Sequence, residues 1–424
     1  MSRQSMVAAG LAALFVVVPA GAQVRQYTAP GGAANEAEGR KEALEKAVEE
    51  ARWHAGPLRL DPAFWISDLT FVDSPDSGAD SDLTARAGLG LHGYLPVGSK
   101  TTIALYALPE YIWWKERDNE RGVNQRFGAG VFTYFNRLSI EITAQRNEDF
   151  DYATTEVLQR VSGRTDRLAA TLEVPVMRHL AVYGHGEDST FESLAADQDL
   201  DELFSDLDRT DRSYRGGLRY YPTDTIFVGG GVGHSESDFD AGAADRSNSG
   251  DFWFAELRYD RPKLGVSATY EDNDFAGEPG SSFGAFTGST GDARIEWRPR
   301  ERLQSRIYAS RSLAYSLLVA SDTAYVDDRV GVGVTMRFGH RLGLDLFSES
   351  GSLDYTAELG GDDRSDDLSA YGAALTVQLG RRFDLKVGYR RTEITSNAGL
   401  PKREVDEIQG SLGFGLSSGS GTWY

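Results

Sequence analysis

The chain has 424 residues, 25% charged and 40% hydrophobic, with a formal net charge of -20 and no cysteine. That balance is too polar for a bundle of membrane helices and too rich in apolar residues for a disordered chain. Beyond the amino terminus no apolar run approaches the roughly 18 to 20 residues a spanning helix needs. Disulfides, thiolate nucleophiles and cysteine-ligated metals are excluded, and so acidic a chain lacks the basic surface on which nucleic-acid binding depends.

Residues 1–22 carry one arginine, Arg3, then an apolar stretch from Met6 to Val18, Pro19, and Ala20-Gly21-Ala22 before Gln23. This layout predicts a secretory signal peptide cut after Ala22, its apolar part too short to anchor stably. Residues 23–57 form a second segment, expected in the periplasm. Within it, 35–53 predicts a helix: Asn35 can cap it, Glu42 and Lys46 are spaced i,i+4, and Leu44, Ala47, Val48 and Ala51 make a narrow apolar stripe. Such a stripe suits weak docking on the same protein better than an obligate partner helix. Gly56-Pro57 ends it.

From residue 58 to 424 the pattern changes to segments of about ten residues with strict alternation, the period of a strand with two unlike faces. Leu83, Ala85, Ala87, Leu89 and Leu91 alternate with Thr84, Arg86, Gly88, Gly90 and His92; Leu138, Ile140, Ile142 and Ala144 alternate with Ser139, Glu141, Thr143 and Gln145. The same holds around Leu264 to Tyr270 and Val330 to Phe338. Short turns fall near Gly98, Arg137, Arg178, Thr223, Pro262, Arg300, His340 and Arg381, about 38 to 45 residues apart. Between them lie polar stretches that read as long loops: 73–82, 187–211, 235–251, 272–282 and 349–367. An apolar run at 313–320 also falls where a loop is expected, with no pattern to explain it.

Two strands, one short turn and one long loop per period predict an all-β fold: a transmembrane antiparallel up-and-down β-barrel, with turns in the periplasm and loops outside. Eight short turns, with a further strand at each end, give about 18 strands, with 16 as the fallback, preceded by the short N-terminal helix. A propeller would need four strands per period. Tyr134-Phe135, Tyr220-Tyr221, Tyr259, Trp297 and Phe338 end strands before short turns and Phe383 opens one after, which marks an aromatic girdle at one membrane boundary. The chain closes on Tyr424, in phase with Ile408, Leu412, Phe414 and Leu416.

In such a barrel the polar phase faces the lumen and carries the function. It holds Arg86, Arg126, Arg167, Arg215, Arg219, Arg258, Arg294, Arg306, Arg329, Arg337 and Arg390, the candidate pathway residues, with Glu110, Glu141, Glu173, Glu256, Glu296 and Asp345 as acidic partners. With the two signs nearly matched, bracing of the lumen by paired charges is favoured over an arginine ladder that conducts anions. The acidic stretch 187–211, helix-prone around Leu200 to Leu207, either folds into the mouth or lies outside as a flap. The runs Asp76, Asp80, Asp82 and Asp362, Asp363, Asp366, Asp367 lack calcium-loop spacing and read as solvated surface, so no metal or cofactor is expected. Six scattered histidines, none in an HExxH arrangement, and no GxSxG elbow argue against an enzyme. His185 with Glu187, or His234 with Ser235, would be the places for a hydrolytic site assembled from distant strands.

The order of signal peptide, short periplasmic helix, the segment Gly56-Pro57-Leu58-Arg59-Leu60-Asp61-Pro62 and about eighteen strands resembles the putative beta-barrel porin 2 family of Gram-negative outer-membrane proteins. The resemblance covers residues 57–424 and rests on pattern; at 66–73 the sequence ISDLTFVD replaces the Asp-Asn-rich stretch expected there. It carries over no catalytic residue. It implies a passive conduit in the bacterial outer membrane, associated with exopolysaccharide or capsule export. A general small-solute porin and a plugged structural barrel are the alternatives. Expected partners are outer-membrane lipid and lipopolysaccharide, the barrel assembly machinery and polysaccharide export components.

Overall fold

The computed structural model describes residues 27, 30, 40–73, 82–116, 118, 121–158, 160–194, 204–223, 225–240, 246–317, 322–339, 341–355, 359, 364–379 and 383–414. The expected signal peptide, the chain's last ten residues and the aspartates at 76, 80, 362 and 363 lie outside them.

Alternation of β-branched or aromatic residues with polar ones makes extended backbone with one apolar and one polar face. Eighteen such strands close into an antiparallel barrel. In chain order they are β1 Leu58–Asp73, β2 Asp82–Val97, β3 in two pieces (Thr101–Ala107 and Glu110–Trp114), β4 also in two (Gly122–Asn124 and Arg126–Phe135), β5 Leu138–Tyr152, β6 Arg160–Met177 and β7 Leu180–Ser193. There follow β8 Arg209–Thr223, β9 Ile226–Phe239, β10 Asn248–Arg261, β11 Leu264–Gly277, β12 Ala285–Arg300, β13 Leu303–Tyr315 and β14 Ala324–Phe338. The last four are β15 Leu342–Tyr355, β16 Arg364–Leu379, β17 Phe383–Ser396 and β18 Arg403–Phe414. β3 breaks at Leu108-Pro109, where proline has no N–H for the ladder. Closure comes from β1, which pairs with β18 on one side and β2 on the other, Phe64 standing opposite both Phe414 and Leu89.

Short turns lie where the spacing predicts them. Gly98 and Gly339, both at φ 66°, supply the left-handed backbone that two of these turns require. His340 and Arg381 lie outside the described residues. The outward phase is apolar: Leu89 and Val232 are each 67% exposed, as suits a face that meets lipid. Phe135, Tyr220, Trp297, Phe338 and Phe383 are exposed at the short-turn rim, and Tyr111, Phe127, Tyr214, Trp253 and Tyr371 form a matching girdle at the other rim. Tyr134 and Tyr221 are exceptions. They occupy the inward phase and donate to Glu141 at 2.8 Å and Glu173 at 2.9 Å.

Strands extend well into the stretches expected to be loops. Residues 187–193 belong to β7 and 209–211 to β8, so 187–211 is not one loop, and 235–239, 248–251, 272–277, 349–355 and 364–367 are also strand. Above the lipid band both faces meet water or buried charge, so the strands lose their apolar alternation while keeping their ladders. The helix expected around Leu200 to Leu207 is, among the described residues, a single turn of 3-10 helix, Ser205–Leu207.

The amino-terminal helix α1, Arg40–Glu50, does not stand free. Leu44 and Ala51 are buried in one cluster with Ala63, Trp65, Tyr94, Ala104, Tyr106, Leu108 and Phe132, and Ala47 and Val48 pack against it. These partners lie on the inner faces of β1 to β4, so the helix sits inside the short-turn end of the barrel. Its stripe is narrow because it meets a single curved wall. The expected cap, Asn35, lies outside the described residues.

Candidate functional site

The lumen gathers the candidate residues, and two hairpin tips that bend into it set its shape. Phe150 and Tyr152 fall in the phase that faces outward lower down β5, yet they are 1% and 6% exposed. The tip of the β5–β6 hairpin folds inward, laying that face against the inner wall. Phe150 meets Trp114 edge to face at 5.0 Å, its carbonyl accepts from Arg86, and the Tyr152 hydroxyl donates to Glu407 on β18 at 2.8 Å.

The linking residues, 153–158, reach the far side. There they meet the tip of the β13–β14 hairpin, roughly opposite in an eighteen-strand ring. The Glu156 carboxylate, 0% exposed, accepts from Ser316 Oγ at 3.0 Å, from the Tyr355 hydroxyl at 2.7 Å and from the Leu317 backbone N–H. Arg364 stands 3.8 Å from it and is held by Asp322 at 2.7 Å and Asp366 at 3.2 Å. The Glu156 carbonyl accepts from Arg403 on β18 at 2.8 Å. Beside it, Arg329 clamps Asp327 through two nitrogens at 2.7 and 2.8 Å and donates to Thr155 at 2.8 Å and Glu349 at 3.2 Å. Buried charge is tolerated only when it is paired and hydrogen-bonded in this way. Asp366 is thus an interior ion-pair partner, not the solvated surface its acidic neighbourhood suggests.

An apolar cluster seals one side of this bridge. Phe204, Leu207, Phe239, Phe252, Phe254, Phe275, Phe283 and Phe286 pack with Leu313, Tyr315 and Leu317. The apolar run at 313–320, unexplained by alternation, is accounted for as far as 317: Leu313, Tyr315 and Leu317 enter this cluster while Ala314 enters another with Tyr325, Leu353 and Tyr355.

Below the bridge, β1 carries a bulge between Ser67 and Thr70 that makes room for an extra residue, Asp68, at φ 52°. Aspartate tolerates this left-handed backbone better than most residues, and the bulge turns its carboxylate inward. Asp68 accepts from Arg86 at 2.9 Å and from Arg160 at 2.8 and 3.2 Å. Tyr27 lies with its ring 5.3 Å from that of Tyr152, so the amino-terminal segment also enters the lumen.

All the candidate arginines lie on the inward phase of their strands. Arg86 and Arg126 share Glu110, at 3.4 and 3.3 Å. Arg167 pairs with Glu187, Arg215 with Glu271 at 3.7 Å, and Arg219 with Glu173 at 2.9 Å and Glu256 at 2.6 Å. Glu296 accepts from Arg294 and Arg298, and Arg390 pairs with Glu407. Arg258 is half-buried on β10. Of the acidic candidates, Glu141 accepts from Tyr134 and Asp345 from Thr335 Oγ1 at 2.6 Å. The remaining arginines, Arg306 and Arg337, line open space.

Among the described residues, two cavities lie in the lumen along β13 to β18. One of about 620 Å³ is lined by Asp68, Arg86, Arg160, Arg390, Lys386 and others. The other, of about 700 Å³, lies nearer the short turns among Gln304, Arg337, Arg341, Thr335 and Gln378. Arg306 and Asp345 line both.

Sequence reasoning missed Asp68, Arg160, Glu156, Asp327 and Glu407. The available signals were the loss of alternation at 153–158 and the unbroken apolar run from Leu313. The structure places the two histidine sites differently. His185 lies 3.4 Å from Glu187 but bonds Thr171 through its other nitrogen at 2.9 Å. His234 faces outward onto Asp251 at 2.8 Å, on the opposite face of β9 from Ser235.

Known proteins place this architecture. A family model described as putative beta-barrel porin 2 matches residues 262–415, the stretch of β11 to β18. No curated protein matches the chain. Among solved structures, the outer membrane protein OpdK of Pseudomonas aeruginosa aligns with a TM-score of 0.51 at 9% identity, covering 84% of this chain and 97% of that one. OccK2 (OpdF) of the same organism, in complex with glucuronate, gives 0.51 at 9% identity over 84% of this chain and 98% of its own. OccK9 (OpdG) gives 0.50 at 12% over 84% and 97%. At such identities the likeness is one of fold. With the resemblance to the putative beta-barrel porin 2 family met by a match over residues 262–415, the molecule is a porin-like β-barrel of the outer membrane.

Proposed function

We propose that this barrel is a channel for small polar solutes. The observation that carries this reading is the size of two cavities beside the inserted elements, about 620 and 700 Å³, that share Arg306 and Asp345. Spaces of this size suit single small ligands, since such pockets span roughly 300 to 1,000 Å³. A bridged mouth and a helix within the short-turn end give no support to the passage of a polysaccharide chain, so the general solute porin displaces the export conduit as the preferred reading. Export by a cleaved signal over residues 1–22 and insertion by the barrel assembly machinery belong to the same reading. Amino-terminal sequencing of the membrane-extracted protein should begin at Gln23.

Liposome swelling tests the function. Proteoliposomes in mono- and disaccharides should swell, and those in a hexasaccharide should not. Equal swelling in all three would remove the size argument. The bridge favours a second reading, a plugged structural barrel. That reading requires no swelling in any solute, with insertion verified by heat-modifiable migration.

A further inference from the structure

Most cations of the lumen are matched by carboxylates; Arg246, buried at the mouth, is one that is not, and four others occur together. Among the described residues, the side chains of Arg306, Arg337, Arg341 and Lys386 make no hydrogen bond or ion pair, and all four line the two cavities. Asp345 is the carboxylate common to both linings, and it already accepts from Thr335. Elsewhere in the upper cavity Asp68 is shared by Arg86 and Arg160, and Arg86 also meets Glu110 at 3.4 Å.

Arg306 is the centre of this arrangement. It is the one cation common to both linings, and its Nε is buried without an acceptor. A buried donor left unpaired is unfavourable unless something supplies the acceptor. Glycine at 333, opposite Arg306 on β14, leaves the guanidinium free of a side chain there; a Cβ would come within 3.1 Å of Nε. Gln304, Thr335, Thr376 and Gln378 surround the lower cavity with neutral groups that donate and accept.

We infer that the lumen between β13 and β17 is a binding station for a small hydroxylated carboxylate, anchored by Arg306 and handed on through Arg337 and Arg341 toward the short-turn end. This rests on the channel reading and names its substrate class. The planar fork of an arginine pairs with a carboxylate through two parallel hydrogen bonds. The amides and hydroxyls beside it suit a polyol better than an apolar tail, and the net positive lining draws in anions ahead of cations.

The test uses the full-length mature protein in planar bilayers. In a KCl gradient the reversal potential should show chloride preferred over potassium. Gluconate should block the chloride current, and sorbitol, its uncharged counterpart of similar size, should not. Arg306→Gln with Arg337→Gln should weaken the gluconate block by about ten- to a hundredfold and bring the selectivity near unity. Arg306→Lys, which keeps the charge and loses the fork, should retain selectivity while still weakening the block, and it guards against a misfolded double variant. Potassium-selective current, equal block by sorbitol, or an undiminished block in the double variant would each overturn the station. If verified insertion yields no current, the channel reading fails by itself. Calorimetry of gluconate on the detergent-solubilised wild type and double variant then decides: binding lost in the variant supports the station, and no binding to the wild type ends it.

Discussion

Replacing Glu156 with alanine should open the mouth of this barrel. The carboxylate is fully buried and receives Ser316 Oγ, the Tyr355 hydroxyl and the Leu317 N–H, with Arg364 at 3.8 Å. Truncation leaves three buried donors without an acceptor, each worth about 1–3 kcal/mol. Arg364 keeps Asp322 and Asp366, so its own charge stays compensated, and water entering the gap satisfies part of the remainder. A net loss of about 3–5 kcal/mol, the range for breaking one partner of a buried ionic site, is the reasonable sum. At about 1.4 kcal/mol per tenfold, that moves the closed-to-open ratio of the bridge by roughly two to three and a half orders of magnitude. Single-channel recording should show larger unitary conductance or higher open probability. Glu156→Gln, which keeps acceptor geometry on one oxygen, should fall between the two. The barrel's strand ladders are untouched, so heat-modifiable migration should persist. Wild-type conductance and gating in a correctly inserted Glu156→Ala protein would refute the claim that this contact holds the mouth.

Three further outcomes follow from the geometry. Leu44→Ala removes a fully packed side chain of α1 and should weaken its docking by about 2–3 kcal/mol; limited proteolysis in detergent should then release the amino-terminal segment while the barrel stays intact. A Cβ at Gly231 would lie 2.1 Å from the Gly216 carbonyl and 2.7 Å from Gly217 Cα, whereas one at Gly216 would meet nothing closer than 3.6 Å. Gly231→Ala should therefore cost about 1–3 kcal/mol of overpacking and lower the temperature of the heat-modifiability shift, and Gly216→Ala should not. Leu89→Arg places a charge on the lipid-facing band and should cost about 2–4 kcal/mol if that band spans the bilayer, read as a lower urea midpoint for unfolding in liposomes.

The architecture was readable because a barrel repeats one rule along its whole length. Alternation set which side chains face inward, so Arg219 and Arg329 could be assigned to the lumen from parity alone, and Gly98 and Arg137 marked the turns that fix the strand count. Parity fails where a strand bends. Phe150 and Tyr152 continue the outward phase of β5 in sequence, and only contacts with Arg86 and Glu407, far along the chain, show that the hairpin has folded over. The same local pattern serves a lipid face or a face pressed on the inner wall. Alternation also cannot tell paired from unpaired charge: Glu296 stands opposite Arg306 in the ladder, yet its carboxylate is taken by Arg294 and Arg298. The stretch 187–211 misled for a related reason: polar residues on both faces look like a loop, although the ladder from β7 to β8 runs through Arg209 opposite Phe191.

The contact between the two bent hairpins also orders events in time. Glu156 and Ser316 are 160 residues apart in the chain and anchored in opposite walls, and contacts between segments so distant in sequence form late because the loop they close is long. Arg403, which grips the same tip, belongs to the last strand, so the strut is complete only once the far end of the chain is in place.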